Sequence, residues 1–211
     1  MINWVLAIFW TIGVSLSPYL GKSKITAPLW YKLVITLLAL VGGVGFWGNV
    51  LSTSGELNWL PPSFAWPVGY AKGVVTTEEN FHIVPVTAAD RVQIYAADWT
   101  FVSGWHIGAH GGDFWVQYHN GDTFEIFTAR GQKRYQYDLQ GQLLAEGTYD
   151  GSPSLNKGSG QTVYVSSNPV MLIWSSSFFS MLLGLVAMLM IKAAYTPEKK
   201  TVSGQPLDEF V

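Results

Sequence analysis

Histidine and aspartate side chains with metal-ligand character are concentrated in one part of the chain. His106, His110 and His119 lie within fourteen positions of one another, and Asp113 lies between them. Neutral imidazoles and a carboxylate are ligands that zinc and copper accept. We call residues 105–119 the histidine loop. It is the candidate metal-binding or ligand-binding segment of the sequence.

The spacing of these histidines does not by itself assemble a metal site. His106 and His110 are separated by isoleucine, glycine and alanine, and two more glycines follow. Glycine disfavours the helix that would place both imidazoles on one face. The Asn-Gly pair after His119 predicts a two-residue hairpin turn, which sets this histidine opposite Asp122. Loop histidines are therefore the default interpretation, and a metal site is the alternative.

Other catalytic patterns are missing from the sequence. It has no G-x-S-x-G elbow, no phosphate-binding glycine loop and no cysteine, which excludes disulfides and thiol chemistry. Asp90, Asp98 and Asp113 are candidate acid–base carboxylates, but such chemistry depends on a separation that the sequence does not give. The net charge is −2 without a basic block, so no nucleic-acid partner is expected. The sequence predicts a protein that is not an enzyme and has no cofactor of its own.

The segments that must position these residues are mostly apolar. Residues 29–51 carry one charge, Lys32, and at about 1.5 Å of helical rise per residue they outreach a hydrocarbon core of roughly 30 Å. Residues 2–20 and 169–195 are similar in length and polarity. Only 12% of the chain is charged, about half the usual share for a soluble domain. Three transmembrane helices are therefore predicted in an integral membrane protein.

The lysines predict how the chain is oriented in the membrane. Six of them flank the spans on one side: Lys22, Lys24, Lys32, Lys192, Lys199 and Lys200. Lysines near span ends in short loops mark the cytoplasmic side. Residues 21–28 and the tail 196–211 are thus expected in the cytoplasm. The N-terminus and residues 52–168 are expected on the extracytoplasmic (periplasmic or luminal) side.

Small residues predict where the helices pack. Ala39 and Gly43 form a small-xxx-small pair, and Ser176, Ser180 and Gly184 recur at four-residue spacing. Small side chains let helix backbones approach closely, and serine hydroxyls bond across such contacts. These faces suit a second helix, either in this chain or in a partner.

The segment between the second and third spans has strand character. Residues 52–71 are rich in proline and tryptophan and predict an interfacial linker. Residues 72–168 alternate apolar and polar positions, with hairpin signals at Asn120-Gly121 and within 134–149. The predicted fold is three transmembrane α-helices with a small antiparallel all-β extracytoplasmic domain inserted between helices two and three.

These features favour an accessory, scaffolding or assembly subunit. The spans hold no charge except near their cytoplasmic ends and no histidine, which argues against a transporter and against a haem held between histidines of this chain. The expected partners are the lipid bilayer and a larger integral membrane complex, for instance a bioenergetic one. The alternative is a membrane-anchored domain that binds a metal or ligand with the histidine loop. A pigment or lipid packed between chains is the other cofactor alternative.

Overall fold

The computed structural model describes residues 9–16, 27–118, 121–150, 162–166 and 168–194. Residues 9–16 are helical, and we call this segment α1. Helix α2 is Leu29–Thr53 and helix α4 is Ser177–Ala194. Both have a mean hydropathy of 1.9, so among the described residues two helices are long and apolar enough to cross a membrane. The rest of the predicted first span lies outside the described residues.

The predicted third span is not one continuous helix. A short helix, α3 (Pro169–Trp174), ends at Ser175, and α4 begins at Ser177. The hydroxyl of Ser175 donates to the Met171 carbonyl and accepts the N–H groups of Gly69 and Tyr70. Serine side chains that bind backbone groups compete with helix continuation, and here the competing bonds come from another segment. The prediction of an unbroken helix over 169–195 was wrong for this reason.

The break leaves carbonyl groups at the end of α3, and side chains bind them. The Ser180 hydroxyl donates to the Ile173 carbonyl at 3.2 Å, and the Asn49 amide donates to the Trp174 carbonyl at 3.1 Å. The Trp174 indole N–H in turn donates to the Val41 carbonyl at 2.8 Å. Unpaired backbone groups are costly in an apolar layer, so these bonds allow the break to exist beside α2.

Helices α2 and α4 pack through small residues. A methyl group on Gly42 would lie 2.6 Å from the Gly184 nitrogen and 2.7 Å from the Ser180 carbonyl oxygen, so only glycine fits there. Ala39 and Ser180 are fully buried, whereas Ser176 lies at the break and is only half-buried. The predicted face on α4 therefore packs on α2 of the same chain.

Gly43, the other residue of the predicted pair, faces a different helix. A methyl group there would lie 2.9 Å from Cγ2 of Thr11 in α1. The glycine-rich part of α2 thus packs against α1 on one side and against α4 on another. Close approach on two sides explains why this part of the helix lacks larger side chains.

The described strands between α2 and α3 form three antiparallel sheets. The first sheet contains β2 (Val75–Thr76), β3 (His82–Val86), β4 (Arg91–Tyr95) and β5 (Phe101–His106). The second contains β6 (Phe114–Tyr118), β7 (Thr123–Thr128), β8 (Lys133–Asp138) and β9 (Leu143–Thr148). The third pairs β1 (Tyr70–Ala71) with β10 (Val163–Tyr164). Both predicted hairpins, β6–β7 and β8–β9, are confirmed.

The first sheet is the middle layer of the β domain. Side chains of β3 and β4, such as Ile83 and Ile94, pack against Phe124 and Ile126 of the second sheet. Its opposite face is covered by Val68 and its neighbours from the segment predicted as a linker. All five residues of β4 are consequently buried. Part of the predicted linker thus belongs to the β domain, because it buries the second face of this sheet.

Candidate functional site

The histidine loop joins the β domain to α2. His106 ends β5 and lies opposite Arg91 on β4. Its Nε2 donates to the Ser52 carbonyl at 2.9 Å, and the Ser52 hydroxyl donates to the Ala89 carbonyl. Burial lowers the pKa of His106, and the nearby Arg91 charge lowers it further. His106 is therefore a neutral structural contact between the last turn of α2 and the sheet.

The predicted metal set is not assembled within the described part of the chain. No group of three or more histidine, aspartate or glutamate side chains suited to a metal occurs there. His110 has a left-handed backbone with φ of 52°, and its carbonyl accepts from Nη1 of Arg130 at 2.6 Å. His119 lies outside the described residues, as does its predicted pairing with Asp122.

Next to His106 lies a pair of fully buried charged residues. Asp90 adopts φ of 48°, and its Oδ2 accepts the Gly111 N–H at 2.7 Å, while Oδ1 has no partner. Burial raises the pKa of Asp90 to about 6, although the Gly111 N–H and the charges of His110 and Arg130 oppose this. We call Ser52, Asp90, Arg91 and His106 the buried seam.

Arg91, like Ser52, is a residue of the buried seam that sequence reasoning missed. Its Nη2 donates to the Gly104 carbonyl at 3.2 Å, and its Nε has no partner. Burial lowers the pKa of this guanidinium. An arginine at the start of a strand normally predicts an exposed side chain, so no sequence signal pointed to its burial. The buried seam therefore contains two buried polar atoms without a hydrogen-bond partner, Oδ1 of Asp90 and Nε of Arg91.

A cleft of about 760 Å³ opens on another side of the histidine loop, where the β domain meets the break between α3 and α4. Four segments line it: residues 70–73, residues 85–88, residues 111–116 and residues 175–178, together with Thr162. This volume lies within the range of small-molecule sites, about 300–1,000 Å³. The cleft is therefore large enough to hold a small ligand.

The walls of the cleft differ in polarity. Lys72 and Asp113 are exposed side chains of opposite charge, and neither forms an ion pair with another described residue. Val86 and Phe114 supply a buried apolar wall. Phe178, 61% exposed, lies at the lower rim in the first turn of α4. The cleft therefore presents polar and charged groups beside an apolar surface that continues onto a membrane-length helix.

The cleft brings together residues that the sequence indicated for other roles. Asp113 was predicted as a metal ligand and Ser176 as a helix-packing residue, and both line the cleft. The described histidines, His82, His106 and His110, do not line it. Lys72, Thr87 and Trp115 were missed, because each stands in a separate segment and no local pattern joins them.

Comparison of the chain with protein-family models, with curated proteins and with solved structures finds no match. The function therefore has to be inferred from the geometry of the buried seam and the cleft. Of the two, only the cleft is open to solvent.

Proposed function

We propose that this protein is a non-catalytic, membrane-anchored binding protein that holds a small ligand in the cleft. Helices α2 and α4 anchor it, and the lysine distribution sets the β domain on the extracytoplasmic side. The observation that carries the proposal is the cleft of about 760 Å³ between the β domain and the start of α4. A ligand bound there would contact both the aqueous phase and the membrane surface.

The side chains of the cleft suit binding better than catalysis. Among its described lining residues, Asp113 is the one carboxylate and Lys72 is the one amine, and no histidine is present. Acid–base and nucleophilic mechanisms need a titratable group positioned by a second one. The remaining polar groups are hydroxyls and backbone, which orient a ligand. We therefore assign the cleft a binding role.

Hydrogen bonds fix the cleft walls to one another. The Ser175 hydroxyl ties the helix break to Gly69 and Tyr70, next to one wall. The Ser52 hydroxyl and His106 tie the end of α2 to the sheet that holds another wall. A cleft whose walls are fixed before binding loses less entropy when a ligand enters.

A single engineered cysteine tests the proposal, because the chain contains none. Thr87→Cys places a thiol in the cleft, and Thr148→Cys places one on an exposed strand outside it. Each variant is purified in mild detergent and alkylated with a water-soluble maleimide, with and without a metabolite and lipid extract of the host membrane. We expect the extract to slow alkylation at position 87 and not at position 148. Equal rates with and without extract at position 87 would refute ligand binding.

The same reagent tests the orientation. A membrane-impermeant maleimide added to intact cells should label the thiol of Thr87→Cys and should not label that of Thr201→Cys in the tail. Labelling of position 201 alone would invert the proposed topology. The lysine rule would then fail for this chain.

Strand β9 favours a second function, that of an accessory subunit. It is an edge strand, all six of its residues are exposed, and Leu143 and Leu144 are each about half-exposed. Such an edge can accept a strand from another protein. The predicted packing face of α4 is occupied by α2, so β9 is the better docking surface.

Co-purification tests this second function. Leu144→Glu alters β9, and Val102→Glu makes the same kind of change at a comparably exposed residue of β5. After gentle detergent extraction, native electrophoresis and mass spectrometry should show a fixed set of partners that Leu144→Glu loses and Val102→Glu keeps. A monomer without partners in the wild type would exclude the accessory role.

A further inference from the structure

We infer that the ligand of the cleft is a phospholipid with a zwitterionic phosphoethanolamine headgroup. This inference rests on the binding function proposed above and names its ligand class. It follows from the position of the cleft, from its two charges and from the apolar surface below it. None of these observations involves a histidine side chain.

The position of the cleft favours a lipid over a soluble ligand. Its lower rim is formed by residues 175–178, where α4 begins. Below the rim, exposed apolar side chains follow one another down α4: Phe178, Phe179, Met181, Leu182, Leu185 and Leu189. An acyl chain that leaves the cleft can lie along this surface in the hydrocarbon layer. A soluble ligand would use only the polar part of the cleft and would make no contact with this surface.

The charges of the cleft favour a zwitterion. Lys72 and Asp113 carry opposite charges, and each lacks an ion pair among the described residues. A headgroup with a phosphate and an amine offers one group to each side chain. A purely anionic headgroup would bring its charge near the Asp113 carboxylate, and like charges at close range are unfavourable. Both side chains are matched only when the ligand has both charges.

The hydrogen-bonding capacity of Asp113 distinguishes between zwitterionic headgroups. A primary ammonium has three N–H donors, and a carboxylate accepts them in charge-assisted bonds. The trimethylammonium of a choline headgroup has no such donor and is instead bound by aromatic cages. The described lining holds four aromatic side chains, Tyr70, Phe114, Trp115 and Phe178, of which Phe114 is buried, so the preference rests on the hydrogen-bonding capacity of Asp113. The geometry therefore points to phosphoethanolamine rather than phosphocholine.

Native mass spectrometry of the full-length, delipidated protein tests this inference. Dioleoyl lipids with phosphoethanolamine, phosphocholine or phosphoglycerol headgroups are added at equal concentration, and the bound fraction of each is measured. We expect the phosphoethanolamine lipid to bind best. Lys72→Gln and Asp113→Asn should each weaken it about tenfold, the effect of losing about one charge-assisted bond. Asp113→Asn should also shift the preference towards phosphoglycerol, because only the cation remains.

Matched variants outside the cleft serve as controls. Lys133→Gln and Asp98→Asn remove the same charges from exposed positions away from the cleft and should leave lipid binding unchanged. Equal binding of all three lipids, unaffected by the cleft variants, would show annular lipid only and overturn the inference. Binding of free phosphoethanolamine as strong as that of the lipid would also overturn it, in favour of a soluble ligand.

The cysteine at position 87 separates this inference from the proposed function. Protection by the crude extract without protection by the phosphoethanolamine lipid would refute the ligand class and leave the binding function standing. Absence of protection by either would refute both. Protection by the lipid, abolished by Asp113→Asn in the same background, would support both.

Discussion

Replacing Asp90 by asparagine should make the protein more stable at neutral pH and remove part of its pH dependence. Asp90 is fully buried, and burial raises its pKa from 3.8 to about 6. The folded protein therefore retains a proton that the unfolded chain releases between about pH 4 and pH 6. Folding is consequently less favourable at pH 7.5 than at pH 4, as far as this group is concerned. Asparagine keeps an oxygen for the Gly111 N–H and carries no charge.

The pKa difference sets the size of the expected effect. A group whose pKa rises from 3.8 to about 6 on folding costs about 3 kcal/mol of stability once it is ionised in both states. Asp90→Asn should thus raise the free energy of unfolding by up to about 3 kcal/mol at pH 7.5 and change it little at pH 4. His106 acts in the opposite direction, because its lowered pKa destabilises the fold as the pH falls through 6.5. It is present in both proteins, so its contribution cancels in the comparison.

Denaturant titration in detergent micelles, followed by near-ultraviolet circular dichroism at pH 4, 5, 6 and 7.5, measures this difference. Asp98→Asn, at a fully exposed carboxylate, is the control and should show no comparable rise with pH. The reasoning would be refuted if the stability difference between wild type and Asp90→Asn were the same at all four pH values. A variant less stable than wild type at pH 7.5 would contradict it as well.

Three further substitutions test contacts between the helices, between a helix and the β domain, and within the buried seam, in the same titration. Gly42→Ala puts a methyl group 2.6 Å from the Gly184 nitrogen and should cost about 1–3 kcal/mol. Gly48→Ala meets only an indole ring at 3.7 Å and should cost nothing; equal losses would disprove close helix packing. Ser175→Ala removes the acceptor of two N–H groups and should cost about 1–3 kcal/mol, with faster hydrogen exchange at both. Arg91→Met removes a buried cation that has no carboxylate partner among the described residues and should be neutral or stabilising, so a large loss would show an unrecognised partner.

Local sequence patterns predicted the two β-hairpins and helix α2. The Asn-Gly pair predicted β6–β7, and an aspartate followed three residues later by Gly141, at φ of 84°, predicted the β8–β9 turn. The apolar run predicted α2 to within two residues at its C-terminal end. These features are specified by composition over a few neighbouring positions, so the sequence alone suffices for them.

The break in the third span and the cleft could not be predicted in that way. Ser175 ends α3 because it binds Gly69 and Tyr70, which are more than one hundred positions earlier in the chain. Lys72, Asp113 and the helix break meet only after the sheets have packed. His106 was a candidate metal ligand in the sequence, because histidine is a residue type suited to metals. In the structure it forms a hydrogen bond to α2 instead. Long-range contacts decided all of these outcomes.

The pairing of β1 with β10 has a consequence for how this protein is made. β1 follows α2 and β10 precedes α3, so their pairing joins the first and last strands of the domain. Because nearly the whole domain separates them in sequence, β1 stays unpaired until β10 has left the ribosome. Closing such a long loop is slow compared with forming the hairpins between. Folding of the β domain should therefore be completed as a late event during biogenesis, after β10 has been synthesised.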